Sequence, residues 1–248
     1  MAKKEIAFEG FKTIFIDAGN TLVSMNLSWF SDELKNFGIE CTEIELHRAE
    51  AAARPIVSAE VCRLKSTESR DTSIFYMQNI INGLPAAGSI SASKRTEIVE
   101  YMLNAVSEIG QSQKLWNNIL PGVPEALKIL KSNNLQLAVV SNSNGSVAEI
   151  LANLDLGQYF DHIFDSHIVG LEKPDPAFFR HALGIMKAAP ETTLHIGDMY
   201  HVDVLGAWGA DINAVLLDPF DDWKDCDCPR FPDLISVAKK IADNNIKS

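Results

Sequence analysis

Short apolar runs that stop at a polar residue constrain this chain more than any other feature. Ile14-Phe15-Ile16 stops at Asp17, the run from Leu135 to Val140 stops at Ser141-Asn142, and Thr193-Leu194-His195-Ile196 stops at Gly197-Asp198. Runs this short, bounded by turn residues, read as buried strands. His162-Ile163-Phe164 and Ala214-Val215-Leu216-Leu217 read as two more. Helical stretches separate them. Pro124 opens one, with Val123, Leu127 and Leu130 on its stripe; Val147, Ile150, Leu151 and Leu154 mark the next. Phe178, Phe179, Ala182 and Leu183 mark a third, a helix near Val202 to Trp208 follows, and Leu234, Val237, Ala238 and Ile241 mark the last. Strands alternating with helices imply parallel βαβ units, hence the α/β class.

One long stretch breaks the alternation. After Leu22 the strand patterning vanishes until about Leu135, and residues from about Leu27 to Asn117 read as helices. Trp29, Phe30, Leu34 and Phe37 form one apolar face; Ile74, Met77, Ile80 and Ile81 a second; Ile98, Met102, Ala105, Val106 and Ile109 a third. Gly83 to Ser91 links two of these helices. The chain thus divides into an α/β core, residues 1–23 and 118–248, and a helical segment, residues 24–117, inserted after the first strand. With 248 residues and 46% hydrophobic content it can form one large domain or two modest ones.

In an open parallel sheet ligands bind just beyond the C-terminal strand ends. Asp17 with Thr21, Ser141 with Asn142, and Asp198 with Asp203 all fall on that edge, and a loop carries Lys173-Pro174-Asp175-Pro176. Asp17 and Asp198 offer oxygen ligands suited to Mg²⁺. The Ser141 hydroxyl and Lys173 ammonium suit a phosphoryl group, and the backbone amides of Ala18 and Gly19 make an anion-binding turn. Together these groups form a site for in-line phosphoryl transfer. Alone, Asp17-Ala18-Gly19 is also ordinary turn composition; the ordered recurrence at strand ends favours chemistry.

These residues resemble the haloacid dehalogenase-like (HAD) hydrolase superfamily of the helical-cap type. Its four motifs stand here in order: Phe15-Ile16-Asp17-Ala18-Gly19-Asn20-Thr21-Leu22, then Val139-Val140-Ser141-Asn142, then the Lys173-Pro174-Asp175-Pro176 run, then His195-Ile196-Gly197-Asp198 with Asp203. The resemblance implies a doubly wound, Rossmann-like parallel-sheet core with an inserted helical cap. It implies a Mg²⁺-dependent phosphatase of small phosphorylated metabolites that works through an aspartyl phosphate. Asp17 then matches the nucleophile, Thr21 a residue positioning its loop, and Ser141 and Lys173 the phosphate holders. Asp198 matches a metal ligand and Asp203 an acidic residue supporting the metal or the lysine, while the Gly19 carbonyl also faces the metal. One position departs from the pattern. Family phosphatases usually carry a second Asp, which protonates the leaving oxygen and activates water, where this chain has Gly19. Three rivals stay open: a weakly active or regulatory relative, carbon–halogen cleavage, and carbon–phosphorus cleavage with Lys65 as Schiff base. His201 is the candidate to replace the missing acid.

The remaining features read more plainly. Cys41, Cys62, Cys226 and Cys228 are too few and scattered for a disulfide framework, and Cys226-Asp227-Cys228 reads as a surface loop of reduced thiols rather than half a zinc site. His195 lies within a strand, packed or hydrogen-bonded there. The stretch Asp218 to Asp225, with Phe220 and Trp223, reads as a solvated loop with one packed aromatic. The net charge of −11 argues against nucleic acid or an anionic membrane as partner. No apolar run reaches membrane-spanning length, and Met1 to Glu5 leads into no signal-type segment, so the cytoplasm is the expected location.

Overall fold

The computed structural model describes residues 6–64, 66–106 and 115–245. Lys65, the Schiff-base candidate, and Ile109 of the third helix face lie outside the described residues. The chain divides into two compact units, Met1–Ser24 with Ile119–Ser248, and Met25–Asn118.

The first unit is built on a six-stranded sheet of order β5-β4-β1-β6-β7-β8. Its strands are β1 (Thr13–Ile16), β4 (Gln136–Ser141), β5 (His162–Asp165), β6 (Thr193–Gly197), β7 (Asn213–Leu217) and β8 (Arg230–Phe231), and each neighbouring pair is parallel. Ile14 to Ile16 are fully buried because both faces of the sheet are covered by helices. The order runs outward from β1 in both directions, which puts the switch point of the topology at β1. The crevice for a ligand therefore opens beyond the end of this strand.

Helices flank the sheet: α5 (Val123–Ser132), α6 (Val147–Asn153), the single turn α7 (Ser166–Val169), α8 (Pro176–Met186), α9 (Leu205–Trp208) and α10 (Leu234–Asn245). Helix α10 packs along α5. Helix α5 starts after Gly122, whose φ of 78° is open to glycine at little cost, with Pro124 in its first turn. Helix α8 follows the same logic: Asp175 caps it, accepting the Ala177 N–H at 2.8 Å, and Pro176 sits at its first position. Lys173 thus stands just ahead of a firmly started helix. Phe178 and Phe179 of α8 are fully buried with Phe15, Val140 and Leu216 in one cluster. Burying each such side chain contributes roughly 1.5–3 kcal/mol.

The second unit is a helical bundle. Among the described residues its helices include α1 (Leu27–Asn36), α2 (Glu43–Leu64), α3 (Arg70–Gly83) and α4 (Ala92–Val106), with a 3₁₀ turn over Pro85–Ser89 in the link from α3 to α4. Capping residues set the starts. Asn26 accepts the Trp29 N–H at 2.9 Å, Ser69 accepts the Thr72 N–H at 3.1 Å, and Thr42 and Glu45 form a reciprocal capping box. Phe30, Leu34, Leu46, Met77, Ile80, Ile81, Ile98 and Met102 form the core. A Cβ on Gly83 would come within 3.1 Å of the Ala49 side chain, so α2 and α3 meet where glycine leaves room.

Three strands depart from the sequence reading. β2 (Val23–Met25) and β3 (Trp116–Ile119), where the chain passes between units, pair as a separate two-stranded sheet. β8 extends the main sheet by only two residues. Each is too short for a period-2 signal, and Asn117-Asn118 gives β3 no apolar face. Among the described residues, no helix is long and apolar enough to cross a membrane.

Candidate active site

Asp17 follows the last residue of β1, and its backbone N–H still donates to the Ile196 carbonyl of β6 at 2.9 Å. The carboxylate is therefore fixed to the sheet as the chain leaves it. The Ala18 carbonyl accepts from Leu22 and Val23 at 2.9 and 3.0 Å, which folds the following loop back on itself. Asn20 holds the left-handed conformation of that loop (φ 51°), and Gly19 bridges to Val23. Thr21 is wholly buried, and its hydroxyl has no hydrogen-bond partner among the described residues.

Lys173 connects the groups at this edge. Its ammonium, 2% exposed, donates to Asp17 Oδ1 at 2.6 Å and to Asp203 Oδ1 at 2.7 Å. Asp203 also accepts the Met199 N–H through Oδ2 at 2.9 Å, and its Oδ1 lies 3.0 Å from His195 Nε2. A Cβ on Gly197 would fall 2.2 Å from the Asp203 carboxyl carbon, so only glycine at the end of β6 admits this carboxylate. Likewise, side chains at Gly206 and Gly209 would strike Pro174 and Pro176, the residues that carry the lysine loop into α8. Single oxygens of Asp17, Asp198 and Asp203 lie within 4.8 Å of one another.

The titration behaviour follows from one cation among several buried carboxylates. Burial alone would lower the Lys173 ammonium, but Asp17 and Asp203 outweigh it and hold it well above its usual range. Burial pushes Asp203 up, yet Lys173 and the His195 hydrogen bond outweigh that and keep it well below the usual carboxylate range. Asp17 gains less: burial raises it, Lys173 lowers it, Asp203 adds repulsion, and the net shift is upward. Burial lowers the His195 imidazole, so that ring is neutral at pH 7.

The neighbouring loop is held from two sides. Asn142 clasps the lysine loop: its Nδ2 donates to the Lys173 carbonyl and its Oδ1 accepts the Lys173 N–H, both at 2.8 Å. Ser141 is buried at the end of β4, its hydroxyl donating to the Asn142 carbonyl at 3.3 Å. Asp165, at the end of β5, accepts the N–H groups of Gly145, Val147 and His167 at 3.1, 3.4 and 3.0 Å. The Ser166 hydroxyl accepts the Ser143 N–H at 3.0 Å. The sequence signal for Asp165 is the same as for Asp17: Ile163-Phe164-Asp165 is an apolar run stopping at a carboxylate, whereas nothing local marks Ser166.

Other singled-out residues fall elsewhere. The His201 ring packs edge-on against Tyr200, and Tyr200 donates its phenol proton to Asp227 at 2.5 Å. Cys228 is 1% exposed and joins the core with half-buried Cys226, which corrects the reading of a surface loop; the apolar neighbours lie in other segments. Burial pushes their thiols up, Cys226 to about 11 and Cys228 to about 12. Trp223 is buried in the same core, whereas Phe220 is exposed.

A buried carboxylate, Asp17, thus stands at the switch point of a parallel sheet. The chain matches the haloacid dehalogenase-like hydrolase model over residues 11–211 and belongs to that family. It is 31% identical over 138 residues to mouse haloacid dehalogenase-like hydrolase domain-containing protein 3, covering 56% of this chain and 53% of that one. It is 35% identical over 98 residues to the glyceraldehyde 3-phosphate phosphatase of Methanothermobacter thermautotrophicus, covering 39% and 43%. The chain thus spans about half the length, or less, of the curated relatives it matches. In fold it is similar to the HAD-hydrolase YfnB of Bacillus subtilis, with a TM-score of 0.63, 15% identity, and coverage of 93% and 98%.

Proposed function

We propose that this hydrolase is a phosphatase of small phosphorylated metabolites, with Asp17 as its nucleophile. The observation that carries the reading is the buried Lys173 ammonium shared between Asp17 and Asp203 beside Asp198. Three buried carboxylates bring single oxygens within 4.8 Å of one another, and the Lys173 ammonium lies against two of them. A divalent cation fits this set of hard oxygen donors. Asp17, Asp198 and the Gly19 carbonyl would hold Mg²⁺, with Asp203 supporting the cluster through Lys173. Once bound, the metal supplies charge neutralisation for phosphoryl oxygens.

The chain's own groups perform the rest. A carboxylate oxygen of Asp17 forms a bond to phosphorus, and the bond from phosphorus to the leaving oxygen breaks with its electron pair. Lys173 and the Ser141 hydroxyl stabilise the equatorial oxygens, and the amides of Ala18 and Gly19 add donors. Water then attacks the aspartyl phosphate, releasing phosphate and restoring Asp17. Asn142 holds the Lys173 backbone in place throughout. We assign substrate selection to the helical unit and the cytoplasm as the compartment. The named glyceraldehyde 3-phosphate phosphatase among the relatives supports a phosphate ester as substrate. Carbon–halogen cleavage would leave Asp198 and Asp203 with little purpose.

A phosphate-release screen over phosphorylated metabolites tests this directly. Turnover is expected with Mg²⁺, lost in EDTA and restored on re-addition. Asp17→Asn should lower it by about 10⁴-fold or more with the fold intact. Full activity in chelator, or in a clean Asp17→Asn preparation, overturns the reading.

A further inference from the structure

The reaction just described makes no use of His195. This residue lies in the middle of β6, in register with Phe15 of β1 and Ala214 of β7, while Phe15 is in register with Ala138 of β4. Its row-mates across the sheet are thus Ala138, Phe15 and Ala214, and each is apolar and buried. The imidazole is wholly buried among them and packs edge-on against Phe179, with ring centroids 4.9 Å apart.

An ionised carboxylate only accepts hydrogen bonds, so the contact from Nε2 to Asp203 Oδ1 at 3.0 Å makes Nε2 the protonated nitrogen. That leaves Nδ1 as an acceptor, buried and without a partner among the described residues. An unpaired buried acceptor is destabilising. A phenyl ring would fill the same slot against Phe179 without that cost. Packing therefore does not account for a histidine here. What the imidazole has and a phenyl ring lacks is the Nε2–H aimed at Asp203.

Asp203 is the hub of a chain of contacts. Its Oδ2 is tied to the Met199 N–H at 2.9 Å, and its Oδ1 receives both His195 and, at 2.7 Å, the Lys173 ammonium. That ammonium reaches Asp17 Oδ1 at 2.6 Å. We propose that His195 is a positioning residue, whose Nε2–H fixes the Asp203 carboxylate so that Lys173 is held against Asp17. Without that donor, one of the two groups that define the Asp203 carboxylate plane beyond the lysine is gone, and the lysine loses a fixed anchor. The consequence for turnover rests on Asp17 acting as nucleophile; the consequence for Lys173 does not.

The experiment compares His195→Phe, which keeps the ring contact with Phe179, and His195→Gln, whose amide restores an N–H donor at similar reach. With the best substrate of the phosphate-release screen, His195→Phe should lower kcat by roughly 10–100-fold, the range seen for outer partners of functional groups. KM should change far less, and His195→Gln should recover most of the loss. A second readout needs no turnover: the nitrogen-15 resonance of the Lys173 amine, assigned with Lys173→Arg. It should coincide in wild type and His195→Gln, and move toward that of surface lysines in His195→Phe. If no phosphate ester is hydrolysed by wild type but this resonance moves as described, the phosphatase reading falls and the positioning role stands. An unchanged resonance and kcat in folded His195→Phe overturn the role, as does a His195→Gln that matches His195→Phe. Should His195→Phe fail to fold, the wild-type imidazole spectrum decides: a proton on Nε2 is expected, and a proton on Nδ1 overturns the proposal.

Discussion

Each unit buries charge, and the two do so differently. In the helical unit Arg54 donates to Glu50 from Nε and a terminal nitrogen at 2.7 and 2.5 Å, and Tyr76 donates to the same carboxylate. The ion pair is four residues apart on one helix, a spacing that puts both side chains on one face. In the α/β unit Asp17, Lys173 and the pair Asp198 and Asp203 come from three separate stretches, Lys173 lying 156 residues from Asp17. Three carboxylates gather there, and Lys173 lies against two of them. A local pair is explained by the helix that carries it. No single element explains the cluster at the sheet edge, because parallel pairing of distant strands assembles it.

The largest test of this contrast is at Gly19, where the wealth of carboxylates at the edge stops short. Without a side chain there, the leaving oxygen departs largely as an anion. Aryl and acyl phosphates should then react much better than alkyl phosphates. Gly19→Asp should speed alkyl phosphates by about 10²–10⁴-fold and flatten the leaving-group dependence. The loop's left-handed residue is Asn20 rather than its neighbour, which favours tolerance of the change. Equal rates for alkyl and aryl phosphates in wild type would place the proton donor elsewhere, with His201 the first residue to mutate.

The next test reads charge through stability in EDTA. Arg54→Met and Glu50→Gln each break a buried ion pair, and each should cost about 3–5 kcal/mol. Lys173→Met should cost about as much, since it strips the cluster's one described cation. Asp198→Asn should cost far less in the metal-free protein, because it relieves repulsion among three carboxylates whose oxygens lie within 4.8 Å of one another. Urea midpoints check all four, and losses of similar size in Asp198→Asn and Glu50→Gln would erase the contrast.

The smallest test is in pH. Burial lowers His195 in the α/β unit and His47 in the helical unit, each below the ordinary value of 6.5. As pH falls through 6.5 the unfolded chain takes up protons that the folded one refuses, so stability falls with it. Each fully refused proton costs at most about 1.4 kcal/mol per pH unit. His195→Gln should flatten the slope between pH 6.5 and 5 more than His47→Gln, since only the first ring is wholly buried. A larger effect at His47 would break the ranking.

Much of this architecture is legible in the sequence because it is local. Apolar runs ending at Asp17, Ser141 and Gly197 mark strand ends, and parallel pairing brings those ends to one edge. Pro176 and Asp175 announce the start of the helix behind Lys173. What stays hidden depends on partners far along the chain. Nothing near Asn142 says that its amide will clasp the backbone of Lys173, and nothing near His195 says that Asp203 will fold back over Gly197 to meet it. Cys228 looks like a loop residue because the core that buries it comes from other segments. The strands β2, β3 and β8 are too short to show a period at all.

The central claim is that Asp17 itself carries the phosphoryl group. Gly19 offers no base for the second step, so the intermediate should persist long enough to isolate. The most direct measurement is therefore an acid quench of the Mg²⁺-loaded protein during turnover of an acyl or aryl phosphate, followed by peptide mass spectrometry. The account predicts one phosphoryl group on the peptide containing Asp17, lost on treatment with hydroxylamine and missing from Asp17→Asn. Steady turnover with an unmodified Asp17, or a phosphoryl group carried on another residue, would contradict it.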